Sequence, residues 1–116
     1  RKLFEDLAAA GISVGSLNLS EKEAMFAVFS PDVNRTCEVL DNTEFKYVLN
    51  TGCGKVTVVG NAMRGVPGVM ATFVAALASR KIAILQTVDS DTTISAIIKE
   101  EYLNEAVKAL HKAFKL

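Results

Sequence analysis

The chain has 116 residues, half of them hydrophobic, and 13 basic residues balance 13 acidic ones. It is long enough to bury a core as one domain or two very small ones. Because the formal net charge is zero, we expect neither nucleic acid nor an anionic membrane surface as a partner. The apolar runs are shorter than a bilayer span and no signal-peptide pattern opens the chain, so the expected location is the cytoplasm.

The first half of the chain predicts the element order α, β, β, α, β. The predicted elements are a helix over 3–10, strands over 12–19 and 24–29, a helix that begins at 30–32, and a strand over 45–49. Gly11 is a favourable left-handed stop for the first helix. Since no strand precedes this helix, we expect that the chain begins within a larger protein.

The second half predicts the order β, α, β, β, α. The predicted elements are a strand over 55–60, a Gly/Pro turn over 60–68, a helix with Val69, Phe73, Val74 and Leu77 on one side, strands over 82–85 and 92–98, and a last helix with Leu103, Val107, Leu110 and Phe114 on one side. His111 lies in this last helix without a metal-ligand neighbour and is expected at the surface.

The two halves match when one is shifted by seventy residues. The shift places Leu7 on Leu77, Ile12 on Ile82 and Leu40 on Leu110. It predicts an α+β fold of two ferredoxin-like βαββαβ units, over 1–51 and 52–116, with antiparallel sheets and helices on one face. The first unit lacks its opening strand and the second its closing one, so partner strands or subunits are expected at the open edges. We also expect the strand over 82–85 to lie beside the strand over 55–60.

The turn over residues 60–68, GNAMRGVPG, is the first candidate site. Glycines allow a ligand to approach the backbone, Pro67 favours the first helical turn, and the N–H groups of a helix start suit a carboxylate. A tight βα turn without a ligand explains the same residues. A phosphate loop is excluded because Gly65 is followed by Val66 instead of lysine.

The polar segment over 86–92, QTVDSDT, is the second candidate. Asp89 and Asp91 could face the ammonium group of an amino acid whose carboxylate the helix start holds. An ordinary polar hairpin turn is the alternative. Cys37 and Cys53 form no CxxC pair or metal cluster, and they are typical of reduced structural thiols, although a disulfide between them stays open. With no nucleophile–base pair or metal cluster, the chain is not expected to be an enzyme by itself.

Three segments resemble the C-terminal regulatory ACT domains of aspartokinases: KVTVVG over 55–60, MRGVPGV over 63–69 and AVKALHKAF over 106–114. The resemblance implies a parent enzyme that phosphorylates the side-chain carboxylate of aspartate with ATP and Mg, and whose ACT domains bind end products and inhibit it. The kinase domain implied by the resemblance, with its glycine-rich loop and catalytic lysine, is not in this sequence, so no catalytic residue is expected in the chain.

The resemblance also implies an effector site between the βα loop of one ACT unit and the strand ends of a neighbouring unit, in a homodimer. It assigns that site to Met63, Val66, Pro67, Gly68, Val69, Gln86, Thr87, Asp89 and Ser90. Many relatives have Ser-Thr-Ser-Glu where this chain has VDSD over 88–91, and the following TTI is similar to diaminopimelate-sensitive aspartokinases of spore-forming bacteria. Lysine, threonine and diaminopimelate therefore all stay open as effectors. The alternative function is a dimerisation module that binds no ligand.

Overall fold

The structure, a computed structural model, describes residues 2–60 and 68–115. Their contacts divide the chain into unit 1, Arg1–Asn50, and unit 2, Thr51–Leu116. The division lies next to the predicted boundary after residue 51. Each unit has antiparallel strands and two α-helices, as the α+β prediction requires.

Unit 1 packs two helices on a two-stranded hairpin. Its elements are α1 (Lys2–Ala9), β1 (Gly15–Leu19), β2 (Ala24–Ala27) and α2 (Val33–Asp41), and the 3₁₀ turn Ser30–Asp32 leads into α2. Its buried core consists of Leu3, Leu7, Ile12 and Leu40. The rings of Phe4 and Phe26 extend this core with an edge-to-face contact, 5.5 Å between centroids.

The predicted strand over 45–49 is wrong. Residues 45–50 have no regular secondary structure, and the side chain of Val48 is 90% exposed. A strand requires a neighbour for its backbone hydrogen bonds, and in the described part of unit 1 the sheet consists of β1 and β2 only. The segment is attached to α2 instead by the hydroxyl of Tyr47, which donates to the carboxylate of Asp41 at 2.8 Å.

Unit 2 has a three-stranded sheet covered by two helices. Its elements are β3 (Cys53–Val59), α3 (Val69–Ser79), β4 (Gln86–Asp89), β5 (Thr93–Lys99) and α4 (Leu103–Phe114), with the 3₁₀ turn Glu100–Tyr102 before α4. The strand order is β3-β5-β4, with antiparallel pairing throughout. The expectation that β4 lies beside β3 is therefore wrong, because the hairpin partner β5 occupies the position between them.

The predicted strand over 82–85 is wrong, because β4 begins only at Gln86, and β1 begins at Gly15 instead of residue 12. The reason lies in the helix ends. The N–H of Ile12 donates to the carbonyl oxygen of Leu7 at 3.0 Å, and the N–H of Ile82 donates to that of Leu77 at 3.1 Å. The two isoleucines are buried, but their backbone N–H groups close the preceding helices instead of joining a ladder.

The core of unit 2 lies between one sheet face and the two helices. Its buried residues are Val56, Val58, Phe73, Ala76, Leu77, Ile82, Ile94, Ala96, Ile98, Ala106, Ala109 and Leu110. Val74 and Val107 were predicted on the apolar helix faces, but Val107 is 54% exposed and Val74 is exposed as well. The buried face of α4 instead contains Ala106 and Ala109, because small side chains let the helix approach its neighbours closely.

Backbone hydrogen bonds recur in the two units at the predicted offset of seventy residues. The N–H of Gly11 donates to the carbonyl oxygen three residues earlier at 2.9 Å, and the N–H of Lys81 does the same at 2.9 Å. The N–H of Ser20 closes its hairpin turn onto Glu23 at 2.9 Å, and that of Ser90 closes the matching turn at 2.8 Å. The offset is confirmed at the level of individual bonds.

Candidate functional site

The loop between β3 and α3 is anchored at both described ends. The N–H of Gly60 donates to the carbonyl oxygen of Thr92 at 2.8 Å, which ties the residue after β3 to the turn between β4 and β5. Gly68 has φ +83° at the start of α3, a left-handed conformation, and its carbonyl oxygen accepts the N–H of Thr72 at 2.8 Å. A β-carbon at Gly68 would meet nothing within 4 Å, so the backbone conformation and not space requires glycine there. Of the predicted site residues, Met63, Val66 and Pro67 lie outside the described residues.

The start of α3 has the electrostatics that an anion needs. The first turn of this 11-residue helix contains no acidic side chain, so no carboxylate of that turn opposes the positive end of the helix dipole. Val69, the first helical residue, is half-buried and packs against the core of unit 2. Its side chain therefore holds the start of α3 on the core of unit 2.

The predicted residues of β4 do not all share one face of the sheet. Thr87 and Asp89 pair with Ala96 and Ile94 of β5, whose side chains point to the helix-covered face. Side chains alternate along a strand, so Gln86 lies on the opposite face, where it is 7% exposed. Thr87 and Asp89 therefore stand on the same side of the sheet as α3, and Gln86 does not.

The hydroxyl of Ser90 holds the hairpin turn between β4 and β5. Its oxygen accepts the N–H groups of Thr92 at 3.3 Å and Thr93 at 3.1 Å, and it lies 2.8 Å from the hydroxyl oxygen of Thr93. Ser20 accepts the N–H of Glu23 at 3.2 Å in the matching turn of unit 1. Ser90 thus has the structural role of a turn residue, which was the alternative explanation of this segment.

Sequence reasoning missed a polar pair on the face of the sheet away from the helices. The hydroxyl oxygens of Thr57 and Ser95 are 2.8 Å apart in adjacent strands, and Ser95 is only 5% exposed. The sequence contained a signal for this pair, because Thr57 and Ser95 are hydroxyl residues within the apolar, β-branched runs 55–60 and 92–98. The two hydroxyls satisfy each other, and such cross-strand pairs stabilise a sheet.

A model of the ACT domain family, described as "ACT domain", matches residues 48–112. The chain belongs to the ACT domain family.

Several aspartokinases are similar to this chain in sequence or in structure. Aspartokinase 1 of Bacillus subtilis is 36% identical over 115 residues, which is 99% of this chain and 28% of that protein. A crystal structure of aspartokinase alpha and beta subunits aligns with TM-score 0.88 and 30% identity, over 99% of this chain and 82% of that one. The ligand-free regulatory subunit of aspartate kinase from Thermus thermophilus aligns with TM-score 0.87 and 30% identity, over 99% and 81%.

These similarities confirm the predicted fold and the resemblance to aspartokinase ACT domains. Nearly all of this chain aligns with these aspartokinases, but it spans less than a third of their length. It corresponds to their regulatory ACT part.

The structure also shows a groove and two thiols that the predicted effector site does not include. A groove of about 330 Å³ lies at the C-terminal ends of α3 and α4, lined by Ala76, Ser79, Arg80, Ala109, Lys112 and Ala113. Within residues 2–60 and 68–115, no group of three or more His, Cys, Asp or Glu side chains could hold a metal ion. No helix in the same ranges is long and apolar enough to cross a membrane. Cys37 and Cys53 are free thiols.

Proposed function

We propose that this chain is the amino-acid-sensing part of an aspartokinase and mediates its feedback inhibition by an end product. The observation that carries the proposal is the match of 99% of the chain to the regulatory subunit of an aspartate kinase. The parent enzyme would transfer a phosphoryl group from ATP, with Mg, to the side-chain carboxylate of aspartate. Its catalytic residues would lie in the part of the relatives that this chain does not cover.

The effector site combines the start of α3 with the end of β4. The N–H groups of the first turn of α3 suit the effector's carboxylate, and Gly68 lets the backbone approach it. Asp89 is exposed and stands on the same side of the sheet as α3, so its carboxylate suits the ammonium group. The predicted loop residues Met63, Val66 and Pro67 would complete the pocket.

Inhibition requires the effector to favour one arrangement of paired ACT units over another, because a ligand shifts an equilibrium only by its differential affinity for the two states. We propose a homodimer in the cytoplasm, in which the strand ends of the second copy cover the pocket that the start of α3 and the end of β4 form in the first. Lysine, threonine and diaminopimelate are the candidate effectors.

Calorimetric titration of the purified chain with each of these three amino acids tests the proposal, with light scattering to establish that the sample is dimeric. We expect binding heat and a raised melting temperature with one of them. The expectation for the parent enzyme is loss of aspartate phosphorylation at the same concentration. If none of the three amino acids gives binding heat or a shift in melting temperature with a dimeric, folded sample, the sensing function is refuted.

A ligand-free dimerisation module is the second candidate, and the outer face of α3 favours it. Met70 and Val74 are exposed on a helix with no charged residue from Val69 to Ser79. A helix that is apolar on all sides is usually buried. If the dimer dissociation constant is unchanged by all three amino acids and no binding heat is seen, this second function is the correct one.

A further inference from the structure

The zero net charge of the chain conceals opposite charges on its two units. Residues 1–50 contain five basic and eight acidic residues, and residues 51–116 contain eight basic and five acidic ones. Unit 1 therefore has a formal net charge of −3 and unit 2 has one of +3. Unit 1 of one copy attracts unit 2 of another copy, while the neutral chains as a whole do not repel each other.

The second helices of the two units have reversed charges at equivalent positions. The seventy-residue shift places Arg35 on Glu105, and it places Glu38 on Lys108. Residues three or four positions apart lie on one side of a helix, and the residues concerned are all exposed. They form an α2 stripe of Arg35, Glu38 and Asp41, and an α4 stripe of Glu105, Lys108, His111 and Lys112.

One charge of each stripe is already engaged within its own unit. Arg35 is bonded to residues of unit 1, and Glu105 forms its ion pair with a residue of unit 2. The charges that remain are the carboxylates of Glu38 and Asp41 on the α2 stripe and the ammonium groups of Lys108 and Lys112 on the α4 stripe. Within residues 2–60 and 68–115, none of these four groups has an ion-pair partner. The α2 stripe is therefore a negative surface and the α4 stripe a positive one.

Two copies of the chain satisfy both stripes at once. A two-fold arrangement places the α2 stripe of each copy against the α4 stripe of the other, so the same contact forms twice. Contact between two α2 stripes or between two α4 stripes would instead oppose like charges, which is unfavourable. Glu38 and Lys108 lie in the middle of their stripes, so they come close to each other in any crossing of the two helices that centres on the stripes.

We infer that two copies of this chain associate by docking the α2 stripe of each on the α4 stripe of the other, with Glu38 and Asp41 attracted to Lys108 and Lys112. The contact includes none of the nine predicted effector residues. It is therefore independent of amino-acid binding and of the strand ends proposed to cover the effector pocket.

Sedimentation equilibrium of the full 116-residue chain at low salt tests the inference. We expect Glu38→Lys and Lys108→Glu each to weaken dimerisation about tenfold, because like charges then oppose each other in both contacts. Glu21→Lys, in the exposed turn of unit 1, is the matched control. It changes the net charge by the same amount as Glu38→Lys and should alter the dissociation constant less than about twofold. Raising the salt from about 0.05 M to about 0.5 M should weaken dimerisation of the wild type.

An equimolar mixture of the two single variants tests which stripes meet. In the mixed dimer, one contact contains both substitutions, so its charges are opposite again, and the other contact contains neither. The mixture should therefore dimerise within about threefold of the wild type, whereas each variant alone does not. A contact within one chain would show no such recovery on mixing.

Circular dichroism melts establish that each variant is folded. If a charge reversal does not fold, Glu38→Gln and Lys108→Gln are used, which remove one charge each and should weaken dimerisation by a smaller factor. A monomeric wild type, unchanged dimerisation of both single variants, or no recovery in the mixture would overturn the inference. Absence of amino-acid binding by the wild type would instead refute the sensing function and leave this inference intact.

Discussion

The guanidinium of Arg35 in α2 donates to the backbone carbonyl oxygen of Ala10 at the end of α1, and to the carboxylate of Asp32. The seventy-residue shift places Arg35 on Glu105 and Ala10 on Arg80. Glu105 and Arg80 form an ion pair between α4 and the end of α3. In both units a charged side chain of the second helix is therefore tied to the end of the first. The cation differs in position: Arg35 lies in α2, the second helix of unit 1, whereas Arg80 follows α3, the first helix of unit 2.

Replacement of Arg35 by methionine should destabilise the chain by about 1 kcal/mol, because a charged donor to a helix-end carbonyl is lost while most of the packing of the side chain is kept. Urea unfolding measures this change. Lys2→Met is the matched control. It removes an exposed pair with Asp6 four residues away, 3.2 Å long, and such pairs contribute less than about 0.5 kcal/mol. An equal effect of the two substitutions would contradict the role given to Arg35.

The left-handed residues after α1 and α3 should respond in opposite directions to substitution. Gly11 has φ +77° and Lys81 has φ +58°, and a residue with a β-carbon is strained in this region. Lys81→Gly should raise the unfolding free energy by about 0.5–1 kcal/mol, and Gly11→Ala should lower it by about 1 kcal/mol. A β-carbon at Gly11 would lie 3.6 Å from a nitrogen of Arg35, so steric contact does not explain the loss. Thermal and urea melts measure both changes, and destabilisation by Lys81→Gly would contradict the prediction.

The approach of Gly54 to α4 is too close for a larger residue. A β-carbon at Gly54 would lie 2.5 Å from a terminal methyl carbon of Leu103 and 3.2 Å from its γ-carbon. Gly54→Ala should therefore cost about 1–3 kcal/mol. Gly15→Ala is the control, because nothing lies within 4 Å of its β-carbon. Adding Leu103→Ala to Gly54→Ala should cost less than the sum of the two single changes, since contacting residues are not additive.

The phenol of Tyr47 should titrate at unusually high pH. Its hydrogen bond to the carboxylate of Asp41, together with a bond to Cys37, raises the pKa of Tyr47 from 10.0 to about 12. The folded pKa is above the unfolded one, so the neutral phenol stabilises the fold. This contribution is fully present below about pH 10 and is lost as the pH rises through about 12.

Phenolate absorbance measures this titration in a Tyr102→Phe background, which removes the other tyrosine, whose pKa is raised by its bond to Glu101. Asp41→Asn should move the pKa of Tyr47 back towards its ordinary value. An unchanged titration in Asp41→Asn would exclude the carboxylate as the cause.

Local patterns predicted the helices well, because each is encoded by residues three or four positions apart. The left-handed stop at Gly11 and the burial of Leu7 and Leu77 were predicted correctly from spacing alone. Similar patterns failed for the strand over 45–49, which is apolar but has no described neighbour in its unit. Strand formation depends on a partner that spacing within the strand does not reveal.

The sequence predicted which polar residues belong to the candidate site, but not which face of the sheet each one occupies. The residues of segment 86–90 were identified from their polarity, but only the register of β4 on β5 shows that Thr87 and Asp89 face one way and Gln86 the other. The turn role of Ser90 likewise depends on its bonds to Thr92 and Thr93. The assignment of the nine effector residues stays a prediction.

The repeat, the helices and the resemblance to aspartokinase ACT domains could be predicted from the amino-acid order alone, because periodicity and short motifs are properties of neighbouring residues. Three features required the folded chain: β5 separates β3 from β4, Val107 is exposed while Ala106 is buried, and Asp89 lies on the helix-covered side of the sheet. These features depend on which distant segments pair and on how closely helices can approach a sheet. Long-range hydrogen bonds and side-chain volume determine both.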